Sequence, residues 1–132
     1  MLITLASMAA ACSDYPGLFF RVRLQQPSST TVCMDLAGEL TSKLSLHVVY
    51  TGVRRGQCLV TLGDREHPNG VLTISSYPKE PVFAIHVEEF ARVSSPSAAT
   101  RELAERVVSI TQEKFPGATI VPFTSKRSLI GP

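Results

Sequence analysis

Four successive segments between residues 44 and 90 alternate apolar and polar side chains, and this pattern constrains the fold more than any other feature. They are Leu44–Thr51, Gln57–Leu62, Val71–Tyr77 and Val82–Phe90. A period of two is typical of a half-buried strand. Short polar turns between such strands favour antiparallel pairing of neighbours. The sequence therefore predicts an antiparallel meander of four strands.

The turns of this meander are predicted from glycine, proline and polar residues. Gly52–Gly56 is predicted as the first turn, Gly63–Gly70 as a polar loop and Pro78–Pro81 as the third connection. The loop ends in Asn-Gly, a strong turn signal. Two further strands are predicted outside the meander, at Leu18–Leu24, which alternates, and at Ala118–Phe123.

Two segments instead carry the period of an amphipathic helix. In Thr30–Leu44 the apolar residues are Val32, Leu36, Ala37, Leu40 and Leu44. In the second helix they are Ala99, Leu103, Val107 and Ile110. Pro96 suits the first turn of this second helix, with Ser95 as its predicted N-cap, and Pro116-Gly117 ends it.

The predicted order of elements is therefore β-α-β-β-β-β-α-β. A chain of 132 residues with 44% hydrophobic residues is long enough for one domain with a real core. We expect an α+β fold, in which two helices pack on one face of an antiparallel sheet of about five to six strands. The domain is predicted to span residues 18–124, followed by a loose C-terminal tail at 125–132.

The first twelve residues have the character of an export signal. Met1–Ala11 has no charge, proline or glycine, and it is too short to cross a bilayer as a helix. Ala9-Ala10-Ala11-Cys12 resembles the lipobox of bacterial lipoproteins, in which the cysteine is lipidated and the preceding peptide is removed. The alternative is that Met1–Ala11 is an ordinary buried helix or strand and Cys12 a plain thiol.

The lipobox resemblance implies a signal peptide at 1–11, followed by a lipidated cysteine and short tether at 12–17. The residue after the cysteine is Ser13 rather than aspartate. In lipoproteins of bacteria with two membranes, that pattern implies the periplasmic side of the outer membrane. The order of elements also resembles that of the helix-grip and PsbP-like domains of several envelope lipoproteins, a likeness of fold that does not imply a function.

Three cysteines are present, Cys12, Cys33 and Cys58, and an odd number in an exported protein needs an explanation. Lipidation of Cys12 would leave Cys33 and Cys58 as a pair in a compartment that permits disulfides. A disulfide would close a loop of about 25 residues and contribute on the order of 3 kcal/mol. Two buried thiols acting as small hydrophobic side chains are the alternative.

The sequence contains no constellation typical of catalysis, a metal site or a cofactor site. There is no nucleophile elbow, catalytic cysteine signature or phosphate-binding glycine loop. His47 and His86 are predicted on the polar face of the sheet, with Glu88 on the same face as His86. We interpret them as solvated side chains rather than as a zinc or copper site. Glu88 and Glu89 are neighbours on a strand, so they point to opposite faces and form no acid–base pair. We expect no enzymatic activity and no cofactor.

The surface predicted to bind a partner is basic. It comprises Arg21 and Arg23 on the first strand, His47 on the second, and Arg54 and Arg55 in the turn that follows. Thr51 is predicted on the same face as His47. Such arginines are also common as ordinary solvated residues. The net charge of only +2 is too balanced to indicate nucleic-acid binding.

These features favour a small lipid-anchored envelope protein that acts as a non-enzymatic binding or assembly module for a protein partner. One alternative is a periplasmic inhibitor or immunity protein that inserts the 63–70 loop, with Asp64, Arg65, Glu66 and His67 at its tip. Another alternative is a carrier that holds a small ligand or lipid between the helices and the sheet.

Overall fold

The computed structural model describes residues 17–26, 31–76, 80–90 and 95–123, with only the backbone at Arg54 and Phe123. The predicted signal peptide, the lipidation site Cys12, the tether to Pro16 and the predicted tail at 125–132 lie outside the described residues.

Eight elements follow one another in the predicted order. They are β1 (Gly17–Arg23), α1 (Val32–Lys43), β2 (Leu46–Arg54), β3 (Gln57–Asp64), β4 (Gly70–Ser76), β5 (Val82–Glu89), α2 (Ala98–Lys114) and β6 (Thr119–Phe123). The α+β class and the antiparallel sheet with two helices are thus confirmed.

All six strands belong to one antiparallel sheet with the order β2-β3-β4-β5-β1-β6. The meander from β2 to β5 uses neighbours in sequence, as the short turns predicted. β1 lies between β5 and β6, with Phe20 opposite Ile85 on one side and Pro122 on the other. β2 and β6 are therefore the two edges of the sheet.

Both helices pack on one face of the sheet, which we call the helix face; the opposite side is the outer face. The core contains Leu36 and Leu40 of α1, Val107 of α2 and inward strand residues such as Leu62 and Ile85, each fully buried. These residues fall at the helical and strand spacings seen in the sequence, so burial of the apolar stripes determines which way each element faces.

A disulfide joins Cys33 in α1 to Cys58 in β3, with their Cα atoms 6.1 Å apart. Both cysteines are fully buried in the core. The cross-link therefore attaches the first helix directly to the sheet that it covers, across 25 positions of sequence. The paired arrangement is the one that the structure adopts, not the two separate thiols.

The second helix begins two residues later than the cap assignment predicted. Ser97, not Ser95, is the N-cap, and its side-chain oxygen accepts a hydrogen bond from the backbone N–H of Thr100. A residue in extended conformation that accepts this bond satisfies one of the first N–H groups of the helix. The helix ends at Lys114, directly before Phe115 and the predicted Pro-Gly stop.

The turn after β2 is shorter than predicted. β2 continues through Arg54, and only Arg55 and Gly56 form the turn, because Arg54 pairs with Gln57. Both turn residues have positive φ, 54° at Arg55 and 81° at Gly56. Two successive positive φ angles define a type I′ hairpin, in which glycine is favoured and arginine is not. The prediction of a five-residue turn at 52–56 was therefore wrong.

A β-bulge in β2 changes the faces that the alternation predicted. Val48 pairs with Leu62, but Tyr50 pairs with the next residue, Thr61, so Val49 is an extra residue. One extra residue reverses the facing of everything that follows it. Tyr50 therefore lies on the outer face and Thr51 on the helix face. Strict alternation had predicted the reverse, with Tyr50 on the same face as Leu46 and Val48, and Thr51 on the polar face with His47.

Candidate functional site

The basic residues predicted as a partner surface do not form one patch. Arg21 and Arg23 are exposed on the outer face of β1. Arg55 is exposed in the β2–β3 turn, at the same end of the sheet as Arg23 but four strands away, or about 19 Å at normal strand spacing. His47 lies at the opposite end of β2. The backbone of Arg54 adjoins the turn, and its side chain is outside the described atoms.

The two strand histidines share the outer face but not a site. His47 is on β2 and His86 on β5, three strand spacings or about 14 Å apart. The ring of His86 packs edge-on against Phe19, with 5.0 Å between centroids. No group of three metal-ligating side chains occurs in the described ranges.

The imidazole ring of His47 packs against Gly63 on the neighbouring strand. A Cβ atom at Gly63 would come within 2.8 Å of the His47 Cε1 atom, so the missing side chain makes room for the imidazole. The Nδ1 atom of His47 is buried without a hydrogen-bond partner in the described part of the chain. A single buried atom of this kind does not define a ligand site.

Glu88 and Glu89 point to opposite faces, as expected, and Glu89 is the functional-looking residue that the sequence did not reveal. Its side chain is only 6% exposed, on the helix face beside the start of α2. One carboxylate oxygen accepts hydrogen bonds from the Ser97 N–H at 2.8 Å and the Thr100 hydroxyl at 3.0 Å. The other lies 3.2 Å from Nε2 of His67.

These bonds hold the pKa of Glu89 below its ordinary value. The Ser97 backbone N–H has the largest effect; burial opposes it, and the Thr100, Ser97 and His67 side chains lower the pKa further. Because its hydrogen-bond partners all lie within the fold, this carboxylate holds the β3–β4 loop and the start of α2 together.

The 63–70 loop, which was predicted as an inhibitory loop with residues 64–67 at its tip, is hydrogen-bonded to the rest of the domain. Asp64 accepts hydrogen bonds from the N–H groups of Glu66 and His67 within the loop. Glu66 accepts a 2.6 Å bond from the Ser45 hydroxyl, and the Arg65 N–H donates to the Ser45 carbonyl. Together with the His67–Glu89 contact, these bonds hold the loop against the start of β2 and α2.

A groove of about 520 Å³ lies between this loop and the two helices. Its lining includes charges of both signs, among them Lys43, Asp64, Glu66, Glu102 and Arg106. This mixed polar lining does not suit an elongated apolar ligand of the kind a lipid carrier would hold.

The most unusual surface is the edge strand β2. Four of its nine residues are large apolar side chains that are at least half exposed: Val48 (52%), Val49 (60%), Tyr50 (53%) and Val53 (54%). Within the described residues β2 has a neighbouring strand, β3, on one side only. We call its other side the open edge. Exposed apolar side chains beside unpaired backbone groups are the usual template for strand addition.

The other edge of the sheet is guarded differently. β6 has five residues and includes Pro122, which cannot donate a backbone hydrogen bond. A short edge strand with proline resists pairing with another chain. β2 is longer, has no proline, and has no lysine, arginine, aspartate or glutamate before Arg54. It is therefore the more receptive of the two edges.

The direction of the β2 backbone groups follows from one hydrogen bond. The Cys58 N–H donates to the Ser76 side chain on β4, so Cys58 directs its backbone groups away from β2. Its partner Val53 must then direct its own N–H and C=O to the open edge, since such groups alternate in antiparallel pairs. By the same alternation Thr51 and Val48 also face that edge, and Leu46 faces it with its carbonyl, because its N–H donates to the Leu44 carbonyl.

Comparison with family models, with curated proteins and with solved structures found no match to this chain. The function is therefore inferred from the geometry of the described residues. Among the described residues, neither helix is both long and apolar enough to cross a membrane.

Proposed function

We propose that this chain is a small lipid-anchored protein of the bacterial cell envelope that acts without catalysis, as a binding and assembly module. Its docking surface is the open edge of β2, which takes up an extended protein segment as an additional strand. The observation that carries this proposal is the run of exposed apolar side chains on a strand that, within the described part of the chain, has a neighbouring strand on one side only.

The disulfide supports the envelope location. Disulfides persist in oxidising compartments such as the periplasm and are rare in the cytosol. The Cys33–Cys58 bond leaves Cys12 as the third cysteine, at the lipobox-like position in the sequence. A lipidated Cys12 would tether the domain to the membrane only five residues before β1 begins.

Intact mass tests the anchor. The chain is expressed in a bacterium with its native upstream codons and purified from membranes, and a Cys12→Ser variant is prepared in parallel. We expect a mass for residues 12–132 plus an acylated glycerol group, less two hydrogens for the disulfide. The serine variant should lose both the lipid mass and membrane association. An unmodified chain that retains Met1 would contradict the anchor.

Site-specific photo-crosslinking in living cells tests the docking surface. A photoreactive amino acid is placed at Val53 on β2 or, as a control of matched exposure, at Val121 on β6, which is 50% exposed. We expect a discrete cross-linked protein species from Val53 and none from Val121. Equal cross-linking from both positions, or none from Val53, would contradict docking at β2.

A further inference from the structure

The β-bulge sets a condition on any strand that pairs with the open edge. Val48, Thr51 and Val53 direct their backbone groups to that edge, and Leu46 directs its carbonyl there. The spacing from Leu46 to Val53 is therefore two, three and two residues. The middle step is three because Val49 is an extra residue. A regular strand directs its backbone N–H and C=O to one side at every second residue. Beyond the three-residue step, its groups would therefore no longer lie opposite those of β2.

We infer that the strand that docks on β2 is the β2 strand of a second copy of this chain, running antiparallel about a two-fold axis between Val49 and Tyr50. This inference rests on the proposed docking surface and names its partner. Leu46 then lies opposite Val53 of the second copy, and Val48 opposite Thr51. The three-residue step of one strand coincides with that of the other, so Val48 and Thr51 can exchange backbone hydrogen bonds, while Leu46 can accept one from Val53 through its carbonyl.

The side chains fit the same register. Val48 and Thr51 both lie on the helix face, and so do Leu46 and Val53, so opposed residues share a face. Val49 falls opposite Tyr50 at the axis. The exposed apolar side chains of both copies thus flank the same seam, Val48 and Val53 on the helix face and Val49 and Tyr50 on the outer face. Cross-strand pairs of β-branched and aromatic residues are favourable there.

Charge complementarity supports a second copy over an arbitrary strand. In this register the basic end of β2, Arg54 and Arg55, lies opposite Ser45 and Leu44 of the other copy. The Ser45 hydroxyl is hydrogen-bonded to the Glu66 carboxylate, and Asp64 pairs with Leu46 beside it. Two cations lie near that end: Lys43, which is paired with Glu39 at 3.2 Å, and Arg65, whose N–H donates to the Ser45 carbonyl. With Asp64 and Glu66, this end keeps an excess of one negative charge. Each basic turn thus meets an acidic end, twice by symmetry.

One strand edge is a small contact compared with the roughly 800 Å² per partner of a standard interface. We therefore expect a weak dimer in dilute solution. Anchoring both copies in one membrane raises their effective concentration and favours the pair without any new contact.

A charge exchange is the sharpest test. Arg55→Glu and Glu66→Arg are made in separate full-length chains, and association is measured by sedimentation velocity of each alone and of their mixture. Each variant alone opposes like charges at both ends, so it should dimerise more weakly than the wild type. The mixed dimer opposes unlike charges at both ends, so mixing should restore association. If the mixture associates as weakly as each variant alone, the antiparallel arrangement is wrong.

Disulfide trapping tests the register. Val48→Cys and Thr51→Cys are made in separate full-length chains, purified and oxidised alone or mixed. Residues 48 and 51 are directly opposite, at a Cα separation that a disulfide can span. The mixture should yield a cross-linked dimer, whereas either variant alone should not, because identical positions are three residues apart. Cross-linking of each variant alone would show a different register and overturn the inference.

Removing one backbone donor separates the two proposals. The Thr51 N–H faces the open edge, so Thr51→Pro blocks strand addition without removing a β2–β3 hydrogen bond; Thr51→Val, which keeps the donor, is the control. We expect the proline variant to weaken dimerisation about tenfold or more. A wild-type chain that is monomeric in solution and on vesicles overturns the second-copy inference. The docking surface then stands only if Val53 cross-links a different protein and Thr51→Pro abolishes that cross-link.

Discussion

Glu89 accepts a 2.8 Å hydrogen bond from the backbone N–H of Ser97, the residue that caps α2. The last residue of β5 thus fixes the start of the helix that follows eight positions later. The same carboxylate reaches His67 in the β3–β4 loop. One buried acid therefore joins three parts of the chain that the sequence separates.

Replacing Glu89 with glutamine should destabilise the domain. Glutamine keeps the shape but loses the charge that strengthens these bonds, and hydrogen bonds to charged groups contribute about 1.5–3 kcal/mol each. We expect a loss of about 2 kcal/mol in the free energy of unfolding, measured by urea denaturation. Glu105→Gln, on the exposed side of α2, should stay within about 0.5 kcal/mol of the wild type. If the two variants lose the same stability, Glu89 does not hold the loop and α2 together.

The stability of the domain should depend on acid pH through the same residue. The pKa of Glu89 is lowered from 4.5 in the folded state, chiefly by the Ser97 N–H. Its contribution is therefore fully present above pH 4.5 and is lost as pH falls through the lower folded-state pKa. We expect the wild type to lose its advantage over Glu89→Gln across that acid range, in denaturation curves recorded from neutral pH downward. A constant difference between the two proteins would contradict this assignment.

Reduction of the disulfide should weaken the fold without changing its topology. Cys33 and Cys58 close a loop of 25 positions, and the chain-entropy model assigns about 3 kcal/mol to such a loop. Unfolding in urea with and without reductant measures the difference. The double variant Cys33→Ala, Cys58→Ala controls for the reductant, since its stability should not respond to it. No change in the wild-type midpoint on reduction would contradict the prediction.

A substitution at Arg55 in the β2–β3 turn should increase the stability of the domain. Arginine there holds a φ of 54°, in a turn that favours asparagine followed by glycine. We expect Arg55→Asn to stabilise the monomer by about 0.5–1 kcal/mol. Gly56→Ala, which puts a side chain at a φ of 81°, should destabilise it by about 1 kcal/mol. Thermal unfolding of both variants at low protein concentration would check the opposite signs.

The sequence predicted the elements of this fold well because each is defined by local periodicity. The stripes of Leu36 and Leu40 in one helix and of Leu103 and Val107 in the other are buried as their spacing requires. The placement of β1 between β5 and β6 could not be derived in this way. Strand order depends on which distant segments meet, and periodicity contains no information about that.

The candidate site was missed for a related reason. Val48 and Tyr50 look like core residues when one strand is read alone, and they are exposed because β2 happens to be an edge. The bulge at Val49 has no signature in the sequence, yet it reverses the faces of Tyr50 and Thr51. Glu89 could be assigned a face, but its partners Ser97 and His67 come from other parts of the chain.

Phe19 in the first strand lies directly opposite Phe123, the last residue of the last strand. The start of β1 and the end of β6 therefore lie at one corner of the sheet. That corner is on the β6 side, about 24 Å and five strand spacings from β2. Two proteins fused directly before β1 and directly after β6 would begin close to each other and far from the β2 edge.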